Sequence, residues 1–225
     1  AVKLYMDDTT GDLKVDDTEL IKDILKACKI TIAHAEEDNV KSIINIMLKN
    51  KIKNHLHVAH VSSQKELSHA KSNKLKNVTV EVAPHHLFMN ENDLQTLGAF
   101  AEMKPRLKTE QDQKALWNGI KNGTVDVIAT DHAPHLKEEK EMANYPFGVP
   151  GVETMLPLLL DAFNKNMITL QKIMELCCEN PAKIFRIKNK GFLKEGFDAD
   201  LIIIDLEKRQ AVRNEDLLTK CKWSP

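Results

Sequence analysis

The sequence predicts an α/β fold in which βα units surround a parallel sheet, and three observations carry that prediction. From Val2 to Thr130, short apolar runs alternate with amphipathic, charged stretches. Each apolar run leads into turn or polar residues, as a strand does where it leaves a sheet. The stretches between them place apolar residues at helical spacing, and two open with helix-capping signals. Alternation of this kind is the mark of βα units. Five such units can be counted in the sequence, against eight in a closed α/β barrel.

Taken in order, the first strand is Val2 to Met6, followed by a helix over Thr18 to Cys28, a strand over Ile30 to Ala35 and a helix over Val40 to Leu48. His55 to Val61 is the third strand. Ser63-Gln64-Lys65-Glu66 is a capping box, in which hydroxyl and carboxylate satisfy the first free N–H groups of the helix that follows. Val78 to Val82 is the fourth strand. Thr109-Glu110-Gln111-Asp112 opens a helix through Ile120 with a weaker acidic partner, and Gly123 lies just past its end, where a left-handed cap is favoured. Val125 to Thr130 is the fifth strand. Beyond it, Glu138 to Tyr145 reads as a charged loop, Gly151 to Phe163 as a mostly apolar helix, and Thr169 to Cys178 as a helix followed by Asn180-Pro181-Ala182-Lys183-Ile184-Phe185. Gly191 to Val212 reads as strands. There are no internal repeats, low-complexity tracts or linkers.

Composition narrows the function. A chain of 225 residues holds one domain and part of a second at ~150 residues per domain. Lys+Arg 32 against Asp+Glu 33 leaves no charge excess to suit nucleic acid or an anionic membrane. A small-molecule partner is expected instead. Cys28, Cys177, Cys178 and Cys221 show no Cys-x-x-Cys spacing, which argues against a disulfide framework or a zinc knuckle and for a reducing, cytoplasmic compartment. No apolar run approaches the ~20 residues of a membrane span. The opening Ala1-Val2-Lys3-Leu4-Tyr5 is neither a signal peptide nor an initiator context, and reads as the interior of a strand.

The most informative stretch is Val125-Asp126-Val127-Ile128-Ala129-Thr130-Asp131-His132-Ala133-Pro134-His135. An apolar run ending in Asp-His reads as a buried strand that presents a carboxylate at its carboxyl end, where α/β barrels do their chemistry. His34 follows Ile30-Thr31-Ile32-Ala33, and His60 follows His57-Val58-Ala59, so both also stand where strands finish. A lone histidine in an apolar strand is more often a hydrogen-bonded core residue; it is the ordered set that points to a metal. Lys3, in Val2-Lys3-Leu4-Tyr5, needs an explanation of its own, because an unpaired ammonium buried in a strand is costly. His55 and His57 form an apparent His-x-His near the opening of their strand and read as structural. His69 reads as a solvated helix residue.

These segments, above all Asp131-His132-Ala133-Pro134-His135 and Val82-Ala83-Pro84-His85-His86, resemble the dihydroorotases, zinc amidohydrolases that interconvert carbamoyl aspartate and dihydroorotate in de novo pyrimidine biosynthesis. The resemblance extends through almost all of the chain. It implies an amidohydrolase-type TIM (β/α)8 barrel of which about the last five βα units are present in residues 1–190, with 191–225 forming part of a small β-subdomain. There Gly196-Phe197-Asp198-Ala199-Asp200 before Leu201 to Ile204 resembles the returning turn and strand. It implies two zinc ions bridged by a carboxylated Lys3, with His34, His60 and Asp131 as the other ligands, types that zinc accepts. Asp131 then also takes the proton from the bridging hydroxide and returns it to the leaving nitrogen. His135 matches the histidine that meets the substrate carboxylate, Pro150 and Gly151 match a segment whose backbone lies along the substrate, and Glu81 matches a carboxylate that orients the ligands. Asp7 to Leu13, with Thr9 and Thr10 ahead of Gly11, falls where dihydroorotases carry a mobile loop.

The departures carry information too. Ala59 stands where some members place a cysteine for an additional metal site. Met103-Lys104-Pro105-Arg106-Leu107-Lys108 falls where the family usually reads Asn-Pro-Pro-Leu-Arg. The family's amino-terminal His-x-His has no counterpart before Lys3, nor does its substrate-binding arginine, and Lys222-Trp223-Ser224-Pro225 resembles a motif cut short. The chain is therefore expected to be a piece of an enzyme, inactive by itself. Two alternatives stay open: another cyclic amidohydrolase (dihydropyrimidinase, hydantoinase or allantoinase), or a non-catalytic scaffold that binds a partner enzyme. A homo-oligomer or a pyrimidine-pathway partner is also left open; nucleic acid and membrane are not expected as partners.

Overall fold

The structure, a computed structural model, describes residues 1–9, 11–72 and 75–225. Five parallel strands, β1 (Val2–Tyr5), β2 (Ile30–His34), β3 (His55–Val58), β4 (Val78–Val82) and β5 (Val127–Ile128), lie side by side in chain order. Helices α1 (Thr18–Ala27), α2 (Asp38–Lys49) and α3 (Gln64–Lys71) make the first three crossovers; α4 (Pro84–Phe88), α5 (Leu94–Leu97) and α6 (Glu110–Asn122) share the fourth. Then come α7 (Lys137–Lys140), α8 (Met155–Asn164), α9 (Leu170–Met174) and α10 (Asn180–Ile184). No helix among the described residues is long and apolar enough to cross a membrane.

The capping signals work as their chemistry requires. Ser63 Oγ accepts from Glu66 N at 3.2 Å, while the Glu66 carboxylate accepts from Ser63 N at 3.1 Å and from Ser62 N at 2.7 Å. Thr109 and Asp112 make the same reciprocal pair at the start of α6, and Gly123 ends that helix at φ 78°. Only a residue without a Cβ adopts that conformation freely.

Register then sorts the strands into two faces, because neighbouring partners in a sheet point the same way and successive residues point oppositely. Lys3 pairs with Ile32, Ile32 with His57, His57 with Thr79, and Glu81 with Val127. One face therefore carries Lys3, Tyr5, His34, His55, His57, Thr79 and Glu81. The other carries Leu4, Ala33, Leu56, Val58, Val80 and Val82, all buried against Ile21 and Leu25 of α1, Ile43, Ile44 and Met47 of α2, and Leu116 and Ile120 of α6. Each such large side chain contributes roughly 1.5–3 kcal/mol by leaving water.

Four expectations need correction. The fifth strand is shorter than Val125 to Thr130, because the Asp126 side chain enters the ladder: its carboxylate accepts from Val80 N at 2.8 Å and pairs with Lys71 at 2.7 Å. The helix expected from Gly151 begins at Met155, and the helix from Thr169 does not stop at Cys178 but continues through a π-turn, Glu175–Glu179, into α10. Pro181 has no N–H and its ring crowds the carbonyl of Cys177, so a widened turn is how the helix passes it. Finally, Gly191 to Val212 forms no strand, and Ile202 and Ile203 stand exposed. A strand is stable only against a partner, and none lies beside this segment among the described residues. The chain end nevertheless packs: Cys221 and Trp223 join Ala101, Met103, Leu107 and Val149 in a second apolar cluster, held by the Glu153 carboxylate, which accepts from Leu218 N and Thr219 N at 2.9 and 2.8 Å.

Candidate active site

The candidate residues gather at the carboxyl ends of the strands. His34 is the last residue of β2, and His60 lies just beyond β3 at φ 37°, as Asp131 lies beyond β5 at φ 45°. A left-handed backbone at a residue with a side chain is uncommon and is maintained only where surrounding structure imposes it. Here it turns the chain sharply off the sheet at two of the three strand ends. Lys3 sits within β1, two positions before Tyr5 on the same face, with its ammonium 5.6 Å from the centre of the Tyr5 ring; it is exposed and not buried as the sequence suggested, because β1 is an edge strand of the sheet.

His34 and His60 meet directly. Nδ1 of His34 is 2.9 Å from Nε2 of His60, with the rings edge to face and both buried. Two ligand nitrogens on a tetrahedral zinc stand about 3.3 Å apart, given bonds of about 2.0–2.1 Å, so the pair is close to the spacing such an ion needs. The outward nitrogens, His34 Nε2 and His60 Nδ1, are buried without hydrogen-bond partners. His34 Nε2 does face Glu36 Oε1 at 3.5 Å, the arrangement in which a carboxylate orients a metal-bound imidazole from behind. Among the described residues no three His, Cys, Asp or Glu side chains converge tightly enough to hold a metal alone, so the two imidazoles need a further donor to make a metal site.

Electrostatics join the rest of the set to this pair. Burial pushes the His60 imidazole well below its ordinary pKa, and the nearby Lys3 ammonium and His34 push the same way, so His60 presents a lone pair instead of a charge. Burial raises the Asp131 carboxyl; Lys3 opposes that rise and Glu81 adds to it. Burial would likewise raise Glu36, but the His34 ring, with Lys104 and Lys108, leaves it below the usual carboxylate range. Glu81 reaches the ring of His57, Nε2 to Oε2 at 3.0 Å, and the backbone N–H of His60 at 3.3 Å. It thus fixes the turn that carries His60. His55 and His57 share the Thr79 hydroxyl at 2.8 Å each, the structural role expected of them. His85 and His86 are buried on α4, His86 Nε2 donating to the Pro105 carbonyl at 3.0 Å.

His135, Pro150 and Gly151 lie on the chain beyond β5, away from the His34–His60 pair in sequence. His135 Nε2 lies 3.1 Å from the Phe147 carbonyl. The Gly151 N–H donates to His132 Nδ1 at 3.0 Å and its carbonyl accepts from Met155 N at 3.0 Å, so Gly151 offers shape. A Cβ there would come within 3.2 Å of the Thr130 carbonyl. Thr130, Pro150, Gly151 and His85 line a cleft of about 290 Å3. Asp7 accepts from Glu36 N at 2.7 Å and from Asn39 at 2.8 Å, tying the start of the Asp7–Leu13 loop to the turn after β2; Thr10 lies outside the described residues. His69 faces Asp38 at 3.7 Å on the surface.

Sequence reasoning missed Glu36, His132 and Lys140. Glu36 could have been found from its place beside His34 in His34-Ala35-Glu36; for Lys140, set in the charged run Lys137-Glu138-Glu139-Lys140-Glu141, the sequence carries no signal.

Comparison with known proteins places the chain in a family. The model of the amidohydrolase family matches residues 16–222. The chain is 37% identical to a dihydroorotase of Pyrococcus horikoshii, over 99% of this chain and 55% of that protein, and 43% identical to a dihydroorotase of Anoxybacillus flavithermus, over 76% of this chain and 41% of the relative. A segment of a multifunctional protein, CAD, of Squalus acanthias is 35% identical over 100% of this chain and 10% of that one. Among solved structures, an L-hydantoinase (dihydropyrimidinase) from Arthrobacter aurescens superposes with a TM-score of 0.85 at 25% identity, covering 95% of this chain and 57% of that one. The chain spans about half the length of the dihydroorotases it matches along its whole extent.

Proposed function

Because the chain belongs to the amidohydrolase family, we propose that the protein of which it forms a part is a dihydroorotase, hydrolysing (S)-dihydroorotate reversibly to N-carbamoyl-L-aspartate in pyrimidine synthesis. The observation that carries this reading is the meeting of His34 Nδ1 and His60 Nε2 at 2.9 Å, within electrostatic reach of Asp131 and Lys3, in a chain whose sequence relatives are dihydroorotases.

Lys3 as its carbamate, His34, His60 and Asp131 would hold two zinc ions. Bound zinc lowers the pKa of the attacking water and polarises the ring carbonyl. The chain's own groups do the remaining work. Asp131 takes a proton from the water as its oxygen bonds to the carbonyl carbon, and returns that proton to the ring nitrogen as the C–N bond breaks. Its burial, which raises its pKa, favours the second half of that exchange. His135 faces the ring carboxylate, Pro150 and Gly151 shape the wall beside it, and Glu81 holds the His60 turn.

A hydantoinase is the second reading, favoured by the fold match to L-hydantoinase. The two part at His135, since hydantoin, dihydrouracil and allantoin lack the carboxylate it would meet. Specificity constants of the full-length, zinc-loaded protein for these three compounds and dihydroorotate decide between them, with dihydroorotate expected to lead by at least about 100-fold. Equal turnover of dihydrouracil moves the assignment to dihydropyrimidinase. Zinc bound without turnover of any of the four favours a scaffold.

A further inference from the structure

Lys140 ends α7 with 1% of its surface exposed, and among the described residues its ammonium makes no ion pair. Its bonds all go to backbone carbonyls: Glu102 at 3.0 Å, Pro146 at 2.9 Å and Gly148 at 3.2 Å. Three acceptors match the three donors of an ammonium, and the faces of Tyr145 and Trp223 complete the enclosure at 5.7 and 5.9 Å. A buried charge is tolerated only where its surroundings are built for it.

Two of these carbonyls flank Phe147, whose own carbonyl meets His135 Nε2 at 3.1 Å. The junction has no slack. Gly148 lies so near that a Cβ would fall 2.6 Å from the Ala133 side chain, 2.8 Å from the Ala133 carbonyl and 3.2 Å from His135 Nε2. Gly148 N also donates to the Glu102 carbonyl at 3.0 Å and Ala133 N to the Val149 carbonyl at 3.0 Å, while Trp223 Nε1 donates to the His135 carbonyl at 2.7 Å.

We propose that Lys140 is a positioning residue for His135: by gathering the carbonyls on either side of Phe147, it holds the Phe147 carbonyl against Nε2 and so decides which ring nitrogen faces the substrate. A carbonyl only accepts, so Nε2 carries the proton, and Nδ1 of the neutral ring is a lone pair. His135 donates through Nδ1 only as the imidazolium. An anionic group met by Nδ1 therefore requires the second donor of the ring, the first being already committed to the Phe147 carbonyl. The anion's identity as a ring carboxylate rests on the dihydroorotase reading; the role of Lys140 does not.

The test uses the full-length, zinc-loaded protein with 15N-labelled histidine. Long-range 1H–15N correlations should show neutral His135 as the Nε2–H tautomer, and Lys140→Met should turn it into a mixture. In the same variant KM for dihydroorotate should rise roughly tenfold with kcat within about threefold, the pattern of lost ground-state positioning. Should Lys140→Met fail to fold, Lys140→Gln, which reaches fewer carbonyls, gives the same readouts in smaller measure. A wild-type Nδ1–H tautomer overturns the proposal, as does a folded Lys140 variant with an unchanged tautomer and KM. Wild-type protein without dihydroorotate turnover overturns the substrate reading, and the tautomer still decides the role of Lys140.

Discussion

Along β2, β3 and β4 the residues pointing toward the helices include Ala33, Leu56, Val58, Val80 and Val82, none more than 0% exposed. The residues pointing the other way include Ile30 and Ile32 but also His34, His55, His57, Thr79 and Glu81, and four of these polar ones are tied into one chain of hydrogen bonds of 2.8–3.0 Å. The same strands make both faces, yet the interactions differ in kind. On the helix side any well-shaped apolar group serves, and errors are measured in volume. On the inner side each polar group needs its specific partner, because an unpaired one in so dry a place is costly. Moving one residue along a strand exchanges stability for chemistry, and a register slip of one would exchange the faces altogether.

The sharpest way to break this comparison is at the end of β5. In the full-length, zinc-loaded protein, Asp131→Asn should lower kcat by about 10²–10⁴-fold, while the melting temperature of the metal-free protein stays the same or rises, since burial disfavours the charged carboxylate. A variant that unfolds instead would mean that the inner face also carries stability. On the opposite face, Leu56→Ala should cost about 2–5 kcal/mol in denaturant unfolding and leave KM for the substrate unchanged; a changed KM would show that the faces are coupled.

Glu36→Gln sharpens the comparison, because it touches the site only through His34. Zinc affinity measured by chelator competition should fall about 10–100-fold, and an unchanged affinity removes Glu36 from the site. The smallest effect at neutral pH comes from the buried imidazoles of α4. Burial holds His86 down to about 4, with Lys108 adding to it and the Pro105 carbonyl opposing it, and holds His85 well below 6.5. The unfolded chain protonates these rings first, so it binds more protons than the folded one below about 6.5, and stability falls as pH drops from there toward 4. Melting temperatures across that range should show the decline, and His86→Gln should flatten it; an unaltered slope would assign the acid sensitivity elsewhere.

Much of the fold was legible because its signals are local. The capping pairs Ser63–Glu66 and Thr109–Asp112 act within one helical turn, Gly123 ends α6 by its own backbone freedom, and strand alternation already separates Leu56 from His57. The placement of His34, His60 and Asp131 at strand ends follows from the same periodicity. Where local patterns were misread, a distant group had intervened: Asp126 shortened β5 by bonding Val80, and Gly191 to Val212 has strand-forming residues but no partner beside it.

The sequence by itself determined the order of the βα units and the residue types available at their carboxyl ends, since period and capping are written into neighbouring positions. Only the tertiary structure decided which ring nitrogens face each other across His34 and His60, that the Gly151 N–H goes to His132, and that Lys140, one lysine in a run of charges, is buried among three carbonyls. Those contacts join separate segments of the chain. Their geometry depends on how helices and turns pack around the sheet, and no residue's neighbours in sequence encode it.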